Sequence, residues 1–229
     1  MTIIDTPANT TPKLPCLKSK GVTTVIRYYN FSNSPQLPHK RLEVPEAQAL
    51  AASGMQIAVV FQQGQNSAPA FSDAKGFAAG VAAFGQARNK IGQPAGSGIY
   101  FSVDFDASTT EINQRVVPFF QGVRRAFDQE SGGGPSYRVG VYGSGLVSSI
   151  LTSRGLIELT WLAMSRGFRG TKEALQAGEF HLAQVPPEKL LCGLDVDFNE
   201  ANPARPDFGA FTLAVVNAEL GASTGTVTL

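Results

Sequence analysis

Short apolar runs alternate with longer amphipathic stretches along almost the whole chain. The runs cover residues 3–5, 22–29, 56–61, 98–106, 137–142, 159–164, 179–185 and 194–198, and are rich in β-branched and aromatic residues. That composition in runs of this length predicts buried strands. Between them, Phe77, Val81, Phe84 and Ala87 fall near helical spacing and predict a helix over 72–91. A second long helix opens at Thr110 and Glu111, runs through Phe119, Phe120, Val123 and Phe127, and is broken by Gly132, Gly133, Gly134 and Pro135. Shorter helices are predicted at 13–19, from Pro45 to Gly54, at 146–153, at 172–176 and, last, at 208–220. Eight strands alternating with helices predict an α/β fold, a single (β/α)8 TIM-type barrel over residues 1–220 with a tail at 221–229. A doubly wound open sheet is the competing arrangement.

Three of the runs end in acids: Ile4-Asp5, Val103-Asp104-Phe105-Asp106, and Leu194-Asp195-Val196-Asp197. A parallel barrel gathers its reacting groups at the C-terminal ends of its strands, so Asp5, Asp104, Asp106 and Asp197 are expected in one pocket. Asp104 and Asp106 lie two apart, which on a strand turns both side chains the same way. Neighbouring acids in an apolar lining push their pKa values apart, leaving one protonated as general acid and the other ionised. The competing reading has them capping the next helix, with Ser108 and Thr109 as rivals for that cap. Asp195 repeats the two-residue spacing with Asp197 and is equally explained as a structural partner of a buried base. Clustered carboxylates are the equipment of a glycosidase. Arg27, Tyr28, Gln62, Tyr142, Ser165 and Gln184 also stand at strand exits and are expected to bind substrate, while Trp161, third in its run, reads as core.

Charge narrows the choice. The chain has 229 residues, with 19 Lys plus Arg against 18 Asp plus Glu and a net charge of +1. No basic stripe suggests a nucleic-acid partner, and no apolar stretch reaches the roughly 18 residues that span a membrane. The first residues lack the basic and apolar regions of a signal peptide, so cytosolic synthesis, another export route or a missing leader all remain open. Cys16 and Cys192 read as two buried thiols, or as a pair if the first and last segments meet. His39 and His181 are too few and too scattered for a metal centre, so no metal or cofactor is expected. A barrel hydrolase that uses the same acids with a metal is a third reading. Gly143-Ser144-Gly145 lacks the spacing of a nucleophile elbow.

The motifs Ile-Ile-Asp at 3–5, Tyr-Phe-Ser-Val-Asp-Phe-Asp at 100–106, Val-Gly-Val-Tyr-Gly at 139–143 and Val-Asp-Phe-Asn at 196–199 resemble the glycoside-hydrolase-like barrel domains. Those domains are similar to the family 25 lysozymes, and the likeness runs from about Thr2 to Asn199. The resemblance implies a muramidase-like hydrolase of a β-linked glycan, bacterial peptidoglycan above all, acting at the cell envelope or outside the cell. It places Asp106 as general acid and Asp104 as its assistant. Asp5 and Asp197 would orient the substrate, its 2-acetamido group or a water, with Gln184 on strand seven. The lysozymes carry glutamate where this chain has Asp106. A carboxyl set back by one bond is a misplacement on the order of 1 Å, which can cost about 10²-fold in rate. Glu111 and Glu200 are the nearby acids that could replace it. A catalytically silent glycan-binding barrel is the alternative.

Overall fold

In the computed structural model, which describes residues 1–214, eight strands close into one barrel in chain order. They are β1 (Thr2–Asp5), β2 (Val22–Tyr29), β3 (Gln56–Phe61), β4 (Gly98–Ser102), β5 (Arg138–Gly143), β6 (Leu159–Leu162), β7 (Leu182–Leu191) and β8 (Leu194–Ala201). Neighbours from β1 to β7 are parallel, whereas β8 runs antiparallel to both β7 and β1. The fold is therefore a closed α/β barrel that departs from eight repeated β/α units. A parallel return needs a crossover of a dozen or more residues. Only Cys192 and Gly193 separate β7 from β8, at φ values of 55° and 79°. Positive φ at both central residues is the geometry of a tight hairpin turn. Strand β7 thus runs out beyond the mouth and β8 descends back into it.

Alternation along each strand sorts the side chains into two layers. Ile3, Ile26, Ala58, Val60, Tyr100 and Trp161 fill the barrel interior. Their chain neighbours Ile4, Val25, Ile57, Val59 and Phe101 face the outer shell of helices, as does Val141 of β5. That shell comprises α1 (Leu14–Ser19), α2 (Val44–Ala52), α3 (Asp73–Gly85), α4 (Thr109–Glu111), α5 (Val117–Ser131), α6 (Gly145–Ser153) and α7 (Thr171–Ala177). The small residues of α3 let it press against α5. A Cβ on Gly76 would lie 1.9 Å from the Phe119 carbonyl oxygen, and one on Gly122 would lie 2.2 Å from that of Asp73.

Two expectations change at the chain's end. Residues 208–214 form no helix: Phe208 enters the interior layer, its carbonyl accepts the Tyr100 hydroxyl at 2.8 Å, and Phe211 bridges to Ile57. The rest of the expected helix, and the tail at 221–229, lie outside the described residues. The cysteines take the paired reading, since a Cys16–Cys192 disulfide ties α1 to the β7–β8 turn across 176 residues of sequence. Closing so long a loop in the unfolded chain is worth about 2–5 kcal/mol.

Candidate functional site

A cavity of about 450 Å³ opens where the parallel strands end, and Trp161 and Val60 of the interior layer line its floor. Asp5, Tyr28, Gln62, Asp104, Tyr142, Ser165, Gln184 and Asp197 line it as well. The strand residues among them continue the inward parity of β1 to β8. Asp197 arrives by a different route from the other acids. It sits inside the descending β8, paired in register with Asp5 at the exit of β1.

The β1, β7 and β8 side of the mouth is densely wired. Asp5 accepts the Tyr28 hydroxyl at 3.2 Å on Oδ1, and the amides of Gln184 (3.1 Å) and Asn199 (2.8 Å) on Oδ2. The same Gln184 amide donates to Asp197 Oδ2 at 2.8 Å, while its carbonyl accepts the Tyr142 hydroxyl at 2.8 Å. Trp161 donates to Asn199 Oδ1 at 2.8 Å, so its role exceeds packing. Burial pushes the Asp5 carboxyl up to about 7, against the lowering pull of its three donors. Burial, then the charge of Glu188, pushes Asp197 up to about 6. Asp197 Oδ1 is buried and has no protein partner. The phenols of Tyr28 and Tyr142 are raised, chiefly by burial and then by the neighbouring charged groups, so both stay neutral donors.

The β4 side is sparser. Asp104 Oδ2 accepts the Gln62 amide at 3.3 Å, and that amide also donates to Ser102 at 3.2 Å. Gln62 is held in this orientation by Lys40, whose ammonium donates to its carbonyl at 2.8 Å and stands 4.7 Å above the Tyr28 ring. Burial raises the Asp104 carboxyl, with Gln62 and Lys40 partly offsetting it.

Two predicted residues lie elsewhere. Asp106 is not among the cavity's lining residues. Strand β4 ends at Ser102 and the chain bends at Phe105, so the two-residue alternation that linked Asp106 to Asp104 stops short of it. Its carboxylate accepts the backbone N–H of Arg169 at 2.8 Å and lies 3.2 Å from the Arg169 guanidinium. Ser108, not an aspartate, caps the following helix, in a capping box closed by Glu111. Glu200 is exposed, on the strand position next to the inward Asn199. Arg27 has the parity opposite to Tyr28 and points behind the barrel. There it forms a buried ion pair with Glu46 of α2 at 2.9 Å and donates to the carbonyls of Thr6 and His39.

Sequence reasoning missed Ser102, Asn199, Lys40 and Phe168. Ser102 and Asn199 were reachable, since each lies two residues from a chosen aspartate on the same strand or strand exit. Lys40 and Phe168 come from irregular loops that carry no periodic signal. Among the described residues, no cluster of three His, Cys, Asp or Glu is arranged to hold a metal, and no helix is long and apolar enough to cross a membrane.

Comparison with known proteins gives this geometry a family. Two solved forms of the Mycobacterium tuberculosis Tat-secreted protein Rv2525c, in complex with L-tartrate and with HEPES, share the fold. Each has a TM-score of 0.73, at 21% and 22% identity, and covers 91% of this chain and 98% of its own. An uncharacterized B. stearothermophilus protein superposes with a TM-score of 0.66 at 16% identity, over 92% of this chain and 100% of its own. The uncharacterized Bacillus subtilis proteins YbfG and FadG are 32% and 27% identical over 166 and 163 residues, 70% of this chain in each case. The chain spans only 22% and 27% of their respective lengths. The profile of the Rv2525c-like, glycoside hydrolase-like domain matches residues 15–186, stopping before the strand that carries Asp197. With most of its length inside that match, the chain belongs to the Rv2525c-like glycoside hydrolase-like family.

Proposed function

We propose that the mouth is a glycosidase site for a β-linked glycan, of the peptidoglycan type, with Asp104 and Asp197 as the reacting carboxylates. One observation carries the reading: Asp5, Asp104 and Asp197 meet in a single cavity beside aromatic side chains, each with its proton affinity raised by burial. A carboxyl whose hold on its proton is strengthened by burial is suited to act as general acid. Asp104 protonates the glycosidic oxygen and the C–O bond breaks towards the leaving sugar. A water adds its oxygen to the anomeric carbon and passes its proton to the Asp197 carboxylate. Asp5 stays anchored by its three donors and orients Gln184 and, through it, Asp197. In this scheme Asp106 holds the loop that carries Ser165 and Phe168, and leaves the chemistry to Asp104. The Cys16–Cys192 bond suits an oxidising compartment, where such a glycan is met.

The test compares wild type with Asp104→Asn for release of reducing ends from purified peptidoglycan, between about pH 4 and 7. Wild type is expected to release them with a bell-shaped pH profile, one limb set by ionisation of Asp197 at about 6 and the other by loss of the Asp104 proton. The variant is expected to lose about 10²–10⁴-fold in rate while still sedimenting with the glycan. One observation favours a second reading, a silent glycan-binding barrel: the position that the lysozymes fill with their acid is here turned onto Arg169. Sedimentation of wild type with the glycan, without release, would establish that reading instead.

A further inference from the structure

We infer that Lys40 makes the mouth selective for sugars that carry a carboxylate, by pairing with that group at the rim; this rests on the glycan reading above. Lys40 lies in the loop between β2 and α2, and its side chain reaches Gln62 and Tyr28 of the mouth. Its ammonium rests 4.7 Å above the ring of Tyr28 and 2.8 Å from the Gln62 carbonyl, and both of those residues line the cavity. Among the described residues that is its one side-chain hydrogen bond, so of three N–H donors it commits one. No carboxylate of the described residues lies within 4.0 Å of it.

An ammonium drawn partly out of water without an acid partner is poised for an anion. The anion has to come at the rim. Inside the cavity Asp5, Asp104 and Asp197 offer a carboxylate no positive partner, and the exposed Glu188 on β7 repels it, so a carboxylated ligand is favoured in one orientation. That orientation sets the substituent against Lys40, with the neutral ring face towards Tyr28, Tyr142 and Trp161. The chemistry is a hexose bearing a carboxylate on a short arm or on the ring itself. A lactyl ether supplies the first and a uronic acid the second.

Matched sugars test this by NMR titration of the whole chain. N-acetylmuramic acid is set against N-acetylglucosamine, which lacks only the lactyl ether, and glucuronic acid against glucose. Wild type is expected to bind the acid of at least one pair about tenfold more tightly, the size of one charge-assisted hydrogen bond. The pair that shows the preference identifies the source of the carboxylate. Lys40→Gln is expected to erase the preference, bringing the acid's affinity down to that of the neutral sugar, and Lys40→Arg to retain it. Equal binding of acid and neutral sugar by wild type would overturn the inference and leave the glycan reading standing. So would a Lys40→Gln variant that weakens both sugars alike, the mark of a lysine that only shapes Gln62 and Asp104. Binding of none of the four sugars would remove both.

Discussion

The two sides of the mouth are built on opposite terms. On the β1, β7 and β8 side, one amide, Gln184, touches two carboxylates and a tyrosine, and Asp5 has three donors. On the β4 side, Asp104 has a single side-chain donor at 3.3 Å, and Asp106 has left the cavity for Arg169. Buried carboxylates need hydrogen-bond donors, and on the wired side Asp5 has three and Asp197 has Gln184 on Oδ2, although Asp197 Oδ1 stays unpaired. Half-buried Asp104 is free to exchange a proton with a ligand. Under the proposed mechanism the wired wall fixes geometry and holds the base Asp197, while the β4 wall supplies the acid Asp104.

The wired wall breaks most readily at its centre. Gln184→Leu removes a donor from both Asp5 and Asp197, and leaving buried acceptors unpaired costs about 1–3 kcal/mol each. Urea unfolding near pH 8, where both acids must ionise, is expected to show a loss of about 3 kcal/mol. A loss below about 1 kcal/mol would mean that this wall is no more preorganised than the other.

A smaller effect follows from Asp5 alone. The folded chain keeps a proton on Asp5 up to about 7, whereas the unfolded chain releases it near 3.8. Its contribution to stability is therefore complete below 3.8 and is lost as pH rises through about 7. Thermal melts are expected to drop across that window, and Asp5→Asn to flatten the slope. A wild-type slope that survives in the variant would assign the titration to another group.

The smallest effect belongs to Asp106. Its pairing with Arg169 is partly exposed, at 34% and 52%, and pairs of that kind contribute about 0–1 kcal/mol. Asp106→Asn is expected to leave stability and the release of reducing ends close to wild type, while speeding amide hydrogen exchange at Phe168 and Arg169. Abolished release with unchanged exchange would return the acid role to Asp106 and undo the contrast between the walls.

The eight strands were legible because period-two burial and β-branched runs are local properties, set within a few residues. For the same reason Asp5, Asp104, Gln62, Tyr142 and Gln184 could be placed at strand exits. Local pattern fails once a strand ends. Asp106 was assigned by extending the alternation of β4 past Ser102, where the backbone no longer follows it. Arg27 was chosen for standing at an exit, although one step of the same alternation turns it onto Glu46.

What the chain determined by itself is the alternation of strand and helix, the interior layer, and the set of acids available. The direction of β8, the union of Cys16 with Cys192, and the meeting of Lys40 with Gln62 and Tyr28 were decided in three dimensions. Each depends on contacts between segments far apart in sequence. Their energies come from barrel closure and burial, and these no single stretch of sequence contains.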